Sequence, residues 1–376
     1  MHVVHLIRDL DAASGGPSRS VPALARSLAA VRPEVKVTVI FQDRGTTMAI
    51  DPTQEQRVRF LPVSAAMRTS SLGEALAKVH YDDPVSVVHS HGIWSPTLHR
   101  AVRRAMAFGV PHVISPRGML SMACMGTKPV RKSVAWRLYQ RQDLQRAALI
   151  HATSTAERED CLQRGLRSPV HVIPNGCELP STAVLQRRPK SLPVSDGQPF
   201  AIALGRVDPV KGLDTLIDAW EIAAPRSWRL LIAGPGNPEH VDSLRRRIAN
   251  AGLSELVHWI GPLEEGDKWA ALRAASFLVN ASKSENFGMA IAEALACETP
   301  VIATQGTPWD IVERERCGWW VEGTIGGVAT AIRLASAKSE VQLREMGQRG
   351  RCLVSKQFDW SSVASKMLAC YEQAMR

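Results

Sequence analysis

Residues 282–296 read S-K-S-E-N-F-G-M-A-I-A-E-A-L-A and set two carboxylates, Glu285 and Glu293, eight positions apart. Asn286 or Gly288 can open a helix here, and Ala290 to Ala296 holds strong helix formers and no breaker. Gly288 permits close backbone approach. The free N–H groups and partial positive charge of such a helix start suit an anion. A carboxylate at the same mouth repels phosphate, so Glu285 is better suited to hydroxyl groups. Glu293, two turns further in, can accept from hydroxyls on its own face. An anion site flanked by two hydroxyl acceptors fits a sugar nucleotide. The plainer alternative is a helix-terminal charge and a solvated helix residue.

Other strand ends carry chemistry of the same kind. In G-R-V-D-P-V-K-G, Arg206 and Lys211 lie five apart between Gly205 and Gly212. A rigid guanidinium fork and a mobile ammonium together fit a diphosphate. In L-I-R-D-L-D-A-A-S-G-G-P, Gly15 and Gly16 precede a helix and can cradle phosphate or admit a substrate closely. The spacing is not G-x-G-x-x-G, so a dinucleotide site is not supported. Asp9 and Asp11 form D-x-D in a polar loop, where carboxylates are usually solvated, and no metal site is expected. V-V-H-S-H-G-I-W brings His89, His91 and Trp94 to the end of a buried-type strand. His91 there can hydrogen-bond a sugar hydroxyl or polarise a reacting group. His-x-His also raises a metal, but no third ligand lies within reach of the sequence.

The elements that must position these residues alternate along the chain. Strand patterns HVVHLI, KVTVI, RVRFLPV, VSVVHS, HVIS, LIHAT and VHVIP alternate with helical patterns at Ser18–Ala30, Leu72–Val79, Pro96–Phe108, Val130–Ala147 and Ala156–Arg164. The alternation resumes with PFAIALG, Leu213–Ala223, RLLIAG, Glu239–Ala251, VHWIG, Lys268–Ala274, FLVNAS, Ala290–Ala296 and PVIATQ. Such alternation predicts parallel sheets covered on both faces. The predicted fold class is α/β, with two doubly wound Rossmann-like domains. Residues 1–178 form the first, 179–198 a Pro- and Ser-rich linker, and 199–357 the second. Residues 358–376 read as an amphipathic helix packing back on the first domain. Ligands in such sheets bind at the carboxyl ends of strands, and the cleft between two such domains is the expected site.

Composition narrows the partners. The net charge is +10, and residues 1–180 hold 23 Lys/Arg against 14 Asp/Glu while the remainder holds 23 against 22. A basic first half suggests an anionic partner: nucleic acid, an anionic membrane or a phosphorylated substrate. No recognised nucleic-acid module and few stacking aromatics appear in that half, so nucleic acid is not expected. The seven cysteines, at 124, 161, 177, 297, 317, 352 and 370, form no C-x-x-C and fit reduced thiols. No run of about 18 apolar residues predicts a membrane span. The start, MHVVHLIRDLD, reaches charge too soon for a signal peptide, and a cytoplasmic protein is expected.

E-N-F-G-M-A-I-A-E resembles the E-x7-E motif of family 4 retaining glycosyltransferases of the GT-B class. The resemblance runs over essentially the whole chain: GGPSRS, HSHGIW, SPRGML, HVIPNG, GRVDPVKG, IAGPGN, HWIGPL and SENFGMAIAEALA occur in family order. It implies a GT-B fold with its two domains facing across a cleft. It implies transfer of a hexose-type sugar from a UDP- or GDP-sugar, with retention and without a metal or other cofactor. By the resemblance, Arg206 and Lys211 hold the donor diphosphate, and Glu285 contacts the sugar hydroxyls. Backbone amides at Phe287, Gly288 and Met289 meet the sugar and distal phosphate, and Glu293 accepts from the ribose. Gly15 and Gly16 close on the phosphate, and His91 lies by the donor sugar or acceptor. Arg117 and Trp94 are expected on the acceptor side. SPRGML, seen among members that build surface polysaccharides, implies a lipid-linked, lipopolysaccharide or exopolysaccharide glycan acceptor. The run from Lys128 to Tyr139 mixes cations with aromatics. It reads either as a peripheral contact with the anionic inner leaflet or as an ordinary solvated helix. A sugar-nucleotide epimerase or phosphorylase shares this architecture and is the alternative; a nucleic-acid-binding protein is the remoter one.

Overall fold

A computed structural model describes residues 1–51, 56–64, 71–187, 189, 192–195, 197–223 and 225–376. The chain divides into two compact units: Met1–Gly176 with Trp360–Arg376, and Cys177–Asp359.

The N-terminal unit is built on seven parallel strands: β1 His2–Ile7, β2 Lys36–Asp43, β3 Val58–Ser64, β4 Val87–His91, β5 His112–Ser115, β6 Leu149–Ala152 and β7 Val170–Val172. Their order is β3-β2-β1-β4-β5-β6-β7. Strands β1, β4, β5 and β6 are buried along their whole length. Both faces are covered, so the strands read as apolar runs rather than as alternations. Val3 enters one core with Val21, Leu24 and Leu28 of the helix Pro17–Val31. Val4 and Leu6 enter the other with Leu72, Leu76 and Leu98. The helix Trp360–Ala374 joins the first of these cores through Val363, Met367, Leu368 and Tyr371.

The C-terminal unit has six parallel strands: β8 Phe200–Leu204, β9 Arg229–Ala233, β10 Val257–Gly261, β11 Phe277–Asn280, β12 Val301–Thr304 and β13 Gly318–Val321. Their order is β10-β9-β8-β11-β12-β13. One face packs on Trp220, Trp228 and Ile332, the other on Trp269, Leu295 and Trp309. In each sheet the strand order reverses once, between β1 and β4 and between β8 and β11. At such a reversal the loops leaving the two strands diverge and open a crevice for a ligand.

Three features differ from the expectation. Residues 179–198, read as a linker, carry a helical turn, Thr182–Leu185, in their described part. Leu179, Val184, Leu185, Leu192 and Val194 pack against the C-terminal core, so isolated apolar residues anchor a Pro- and Ser-rich segment. Positions 188, 190, 191 and 196 of that segment lie outside the described residues. The helix expected at Val130–Ala147 contains a π-turn, Trp136–Gln140, between Pro129–Ala135 and Arg141–Arg146. Strand β13 and the helices Ile325–Ser336 and Glu340–Gln357 complete the unit beyond the elements foreseen.

Candidate functional site

In the C-terminal unit the predicted residues converge at the β8/β11 reversal. After β8 the chain is pinned to the neighbouring loop by Gly205 N–H to Ala233 O and Val207 N–H to Pro235 O, at 2.9 and 2.7 Å. Asp208 accepts from Val210 N–H at 3.0 Å and starts the turn Pro209–Lys211. Gly212 ends that turn at φ 63, where a Cβ would stand 2.1 Å from Ala281 O. Only glycine permits this approach of the β8 loop to the β11 loop. The approach brings Lys211 Nζ to 2.5 Å from Glu285 Oε1. The same oxygen accepts from Ser282 Oγ at 2.8 Å and from Asn280 Nδ2 at 3.5 Å. Glu285 N–H donates to Gly306 O at 2.8 Å, which fixes the backbone that carries the carboxylate. Arg206 stands exposed on the same loop as Lys211.

The helix Met289–Ala296 begins immediately beyond. Gly288 is its N-cap at φ 88, ψ 61, and Phe287 O accepts from Trp309 Nε1. The Phe287 ring packs against Trp309 and Phe358, so its side chain is an anchor. Glu293, expected as a solvated or ribose-binding carboxylate, pairs with Lys268 Nζ at 2.9 Å. Lys268 is buried on the helix Glu265–Ala274 and lies over the Trp269 ring, and its pairing with Glu293, 25 positions away, is one that sequence spacing could not reveal.

In the N-terminal unit the β1/β4 reversal holds a second polar centre. Gly15 adopts φ 92, ψ −155, and Ser18 Oγ–H donates to its carbonyl at 2.7 Å. Gly16, at φ −53, caps the helix Pro17–Val31. His91 is buried and both its nitrogens are engaged: Arg117 Nη2–H donates to Nδ1 at 3.0 Å, and Nε2 lies 2.8 Å from His5 Nδ1. Burial holds His5 at a pKa of about 3, so its ring is neutral. Because Arg117 only donates, His91 Nε2 carries the proton and donates to His5.

Beside it runs a second chain whose direction is also fixed. Ile173 O can only accept, so His151 Nε2–H donates to it at 2.8 Å. Burial lowers His151 to about 3, which leaves its Nδ1 to accept from Ser115 Oγ–H at 2.7 Å. Ser115 then accepts from His89 Nε2–H, and His89 Nδ1 accepts from Tyr371 O–H, both at 2.7 Å. Tyr371, on the C-terminal helix, thereby closes a ladder across β4, β5 and β6.

Ring nitrogens of His5, His89 and His91 come within 4.8 Å of one another, the spacing of a metal site. Every one of their nitrogens except His5 Nε2 is committed, and the Arg117 guanidinium lies against His91. Charge and hydrogen bonding both oppose a cation there. Asp9 and Asp11 do not act as a pair either: Asp9 faces the Arg8 and Arg44 guanidinium groups, while Asp11 accepts from Thr46. Trp94, at φ 69, ties two loops together, its N–H donating to Gln140 Oε1 at 2.8 Å and its indole to Met119 O at 3.2 Å. The run H-V-V-H-L-I places His5 in a strand, but its partner is 86 positions away and only the pairing of β1 with β4 discloses it.

Comparison with known proteins decides the family. Residues 15–176 match the glycosyl transferase 4-like domain, and residues 186–351 match glycosyl transferases group 1. The chain belongs to the family 4 glycosyltransferases. It is 30% identical over 249 residues to the D-inositol 3-phosphate glycosyltransferase of Jonesia denitrificans, a match covering 61% of this chain and 57% of that protein. The chain thus spans little more than half the length of this curated relative. Among solved structures it resembles sucrose-phosphate synthase from Thermosynechococcus elongatus, with a TM-score of 0.77 at 20% identity and 99% of each chain covered. It also resembles Anabaena HepE in complex with UDP and glucose, with a TM-score of 0.75 at 18% identity and 99% of each chain covered. These likenesses establish the GT-B glycosyltransferase fold.

Proposed function

We propose that the chain is a retaining glycosyltransferase that moves a hexose-type sugar from a UDP- or GDP-sugar to a glycan or lipid-linked glycan of surface polysaccharide. The observation that carries this reading is the Lys211–Glu285 pair at the β8/β11 reversal, beside the helix that presents Gly288 and Glu293. A diphosphate would take Lys211 and Arg206 as partners, charge stabilisation that grows as the sugar–phosphate bond breaks. Glu285 would accept from sugar hydroxyls, and Glu293 from the ribose. The acceptor oxygen would bond on the face the diphosphate leaves, its proton passing to the leaving phosphate. No step in this scheme calls on a metal. A UDP donor agrees with the HepE complex, and a polyol acceptor with the inositol 3-phosphate glycosyltransferase.

A peripheral membrane contact belongs to the same reading. Val130, Val134 and Leu138 are 76%, 51% and 73% exposed and recur every fourth residue, among exposed Lys128, Arg131, Arg137 and Arg141. An apolar row bordered by cations suits an anionic bilayer surface. No helix among the described residues is long and apolar enough to cross a membrane.

The test is transfer from a nucleotide sugar to an added glycan acceptor by wild type and Glu285→Gln. The reading expects acceptor-dependent release of nucleotide diphosphate that falls at least about a hundredfold in the variant, with the fold retained. Turnover without acceptor favours an epimerase instead, and a near-normal Glu285→Gln removes that residue from the site.

A further inference from the structure

The guanidinium of Arg117 is a charge of the N-terminal unit held by neutral acceptors, with no ion pair among the described residues. Arg117 follows β5 and adopts φ 58, a left-handed conformation that costs energy for a residue with a Cβ. The turn is held by Glu157, whose Oε1 accepts from Gly118 N–H at 2.6 Å and whose Oε2 accepts from Thr153 N–H at 2.7 Å. Among the described residues, the one carboxylate whose field is felt at Arg117 is therefore spent on backbone amides and forms no ion pair with it. The guanidinium itself meets two neutral acceptors: Nη1–H donates to Asn175 Oδ1 at 2.8 Å, and Nη2–H to His91 Nδ1 at 3.0 Å. Its Nε is buried without a partner. Burial lowers its pKa to about 10, against the raising field of Glu157. Burying a charge without a partner is costly, and the fold adds backbone strain to hold this one in place. The residue keeps partial exposure, so the counter-charge can come from a ligand.

We propose that Arg117 is a receptor for an oxyanion, a phosphate or carboxylate carried by the acceptor, and that His91 and Asn175 are its positioning residues. His91 acts here through Arg117, because its own nitrogens are taken up by Arg117 and His5. Asn175 and His91 approach the guanidinium from β7 and β4, on either side of β5 and β6, and fix the plane of the fork that a bidentate oxyanion requires. The assignment of the anion to the acceptor rests on the transferase reading; the binding of an anion at Arg117 does not.

The experiment is hydrogen–deuterium exchange of the full chain with inorganic phosphate, with acetate, and with chloride at matched ionic strength. Millimolar phosphate is expected to protect residues 115–120 and 173–176 in wild type. In Arg117→Gln the phosphate concentration needed should rise at least about tenfold. Arg117→Lys should retain part of the effect, and Asn175→Ala should weaken it with the fold intact. Acetate protecting as well as phosphate identifies a carboxylate-bearing acceptor; phosphate alone identifies a phosphorylated one. Equal protection in Arg117→Gln, or none in wild type, overturns the proposal. So does loss of the phosphate effect when UDP or GDP saturates the chain, since Arg117 would then read the donor. Failure of UDP and GDP to bind refutes the transferase reading while leaving the phosphate result standing.

Discussion

Acidification from pH 7 to pH 5 should unfold the N-terminal unit well before the C-terminal one. Among the described residues the buried histidines are His2, His5, His89, His91, His112 and His151, all in the N-terminal unit. Burial lowers the pKa of each, and brings His5, His112 and His151 to about 3 from an ordinary 6.5. The sign follows directly. Between these two values the unfolded chain binds protons that the folded unit refuses, so stability is complete above pH 6.5 and falls as pH drops. For one such histidine the loss between pH 7 and 5 is about 2 kcal/mol. Three of them lose about 6 kcal/mol, comparable with the roughly 5–15 kcal/mol that holds a domain together. His89 and His91 act in the same direction. Urea unfolding at pH 7, 6 and 5, followed by exchange in peptides of each unit, reads the effect. His112 offers a control, because both its ring nitrogens are buried without partners. His112→Leu should be neutral or stabilising at pH 7 and should remove about 2 kcal/mol of the acid loss. An N-terminal midpoint that stays constant from pH 7 to 5, or one that moves no more than the C-terminal midpoint, refutes the reasoning.

Other outcomes test the C-terminal site. Gly212→Ala forces a Cβ against Ala281 O, separates the loops that hold Lys211 and Glu285, and should abolish nucleotide binding measured by calorimetry; retained affinity would show that the approach is dispensable. Lys211→Ala should weaken donor-nucleotide binding by about 1.5–3 kcal/mol, roughly 10- to 150-fold in Kd; an unchanged Kd removes Lys211 from the diphosphate. EDTA should leave transfer intact, and a complete loss restored by Mn²⁺ would return the Asp9 and Asp11 carboxylates to consideration.

The fold was legible wherever β-branched runs ended in glycine or a capping residue. Every strand but β13 was foreseen. Its sequence, G-W-W-V, lacks the β-branched run that marked the others, and only its pairing with β12 makes it a strand. The helix Glu340–Gln357 announces itself with a capping box, Ser339 and Gln342, yet its apolar residues are diluted by charges that leave the face weak. Within the site, Lys211, Glu285 and Glu293 stood out because they lie just after strands or on the following helix. Lys268, His5, Ser115, His151 and Tyr371 did not, because each acts through a partner from a distant element. His89 and Tyr371 are separated by 282 positions, and no local pattern encodes their contact.

The central claim is that the C-terminal unit binds a nucleotide sugar through Lys211, Glu285 and Glu293. Titration calorimetry of the full chain with UDP and with GDP, in the absence of divalent metal, tests it most directly. The account predicts selective micromolar binding of one of the two, lost in Glu293→Ala through its missing ribose contact. Binding of neither nucleotide, or binding indifferent to Glu293, would contradict it.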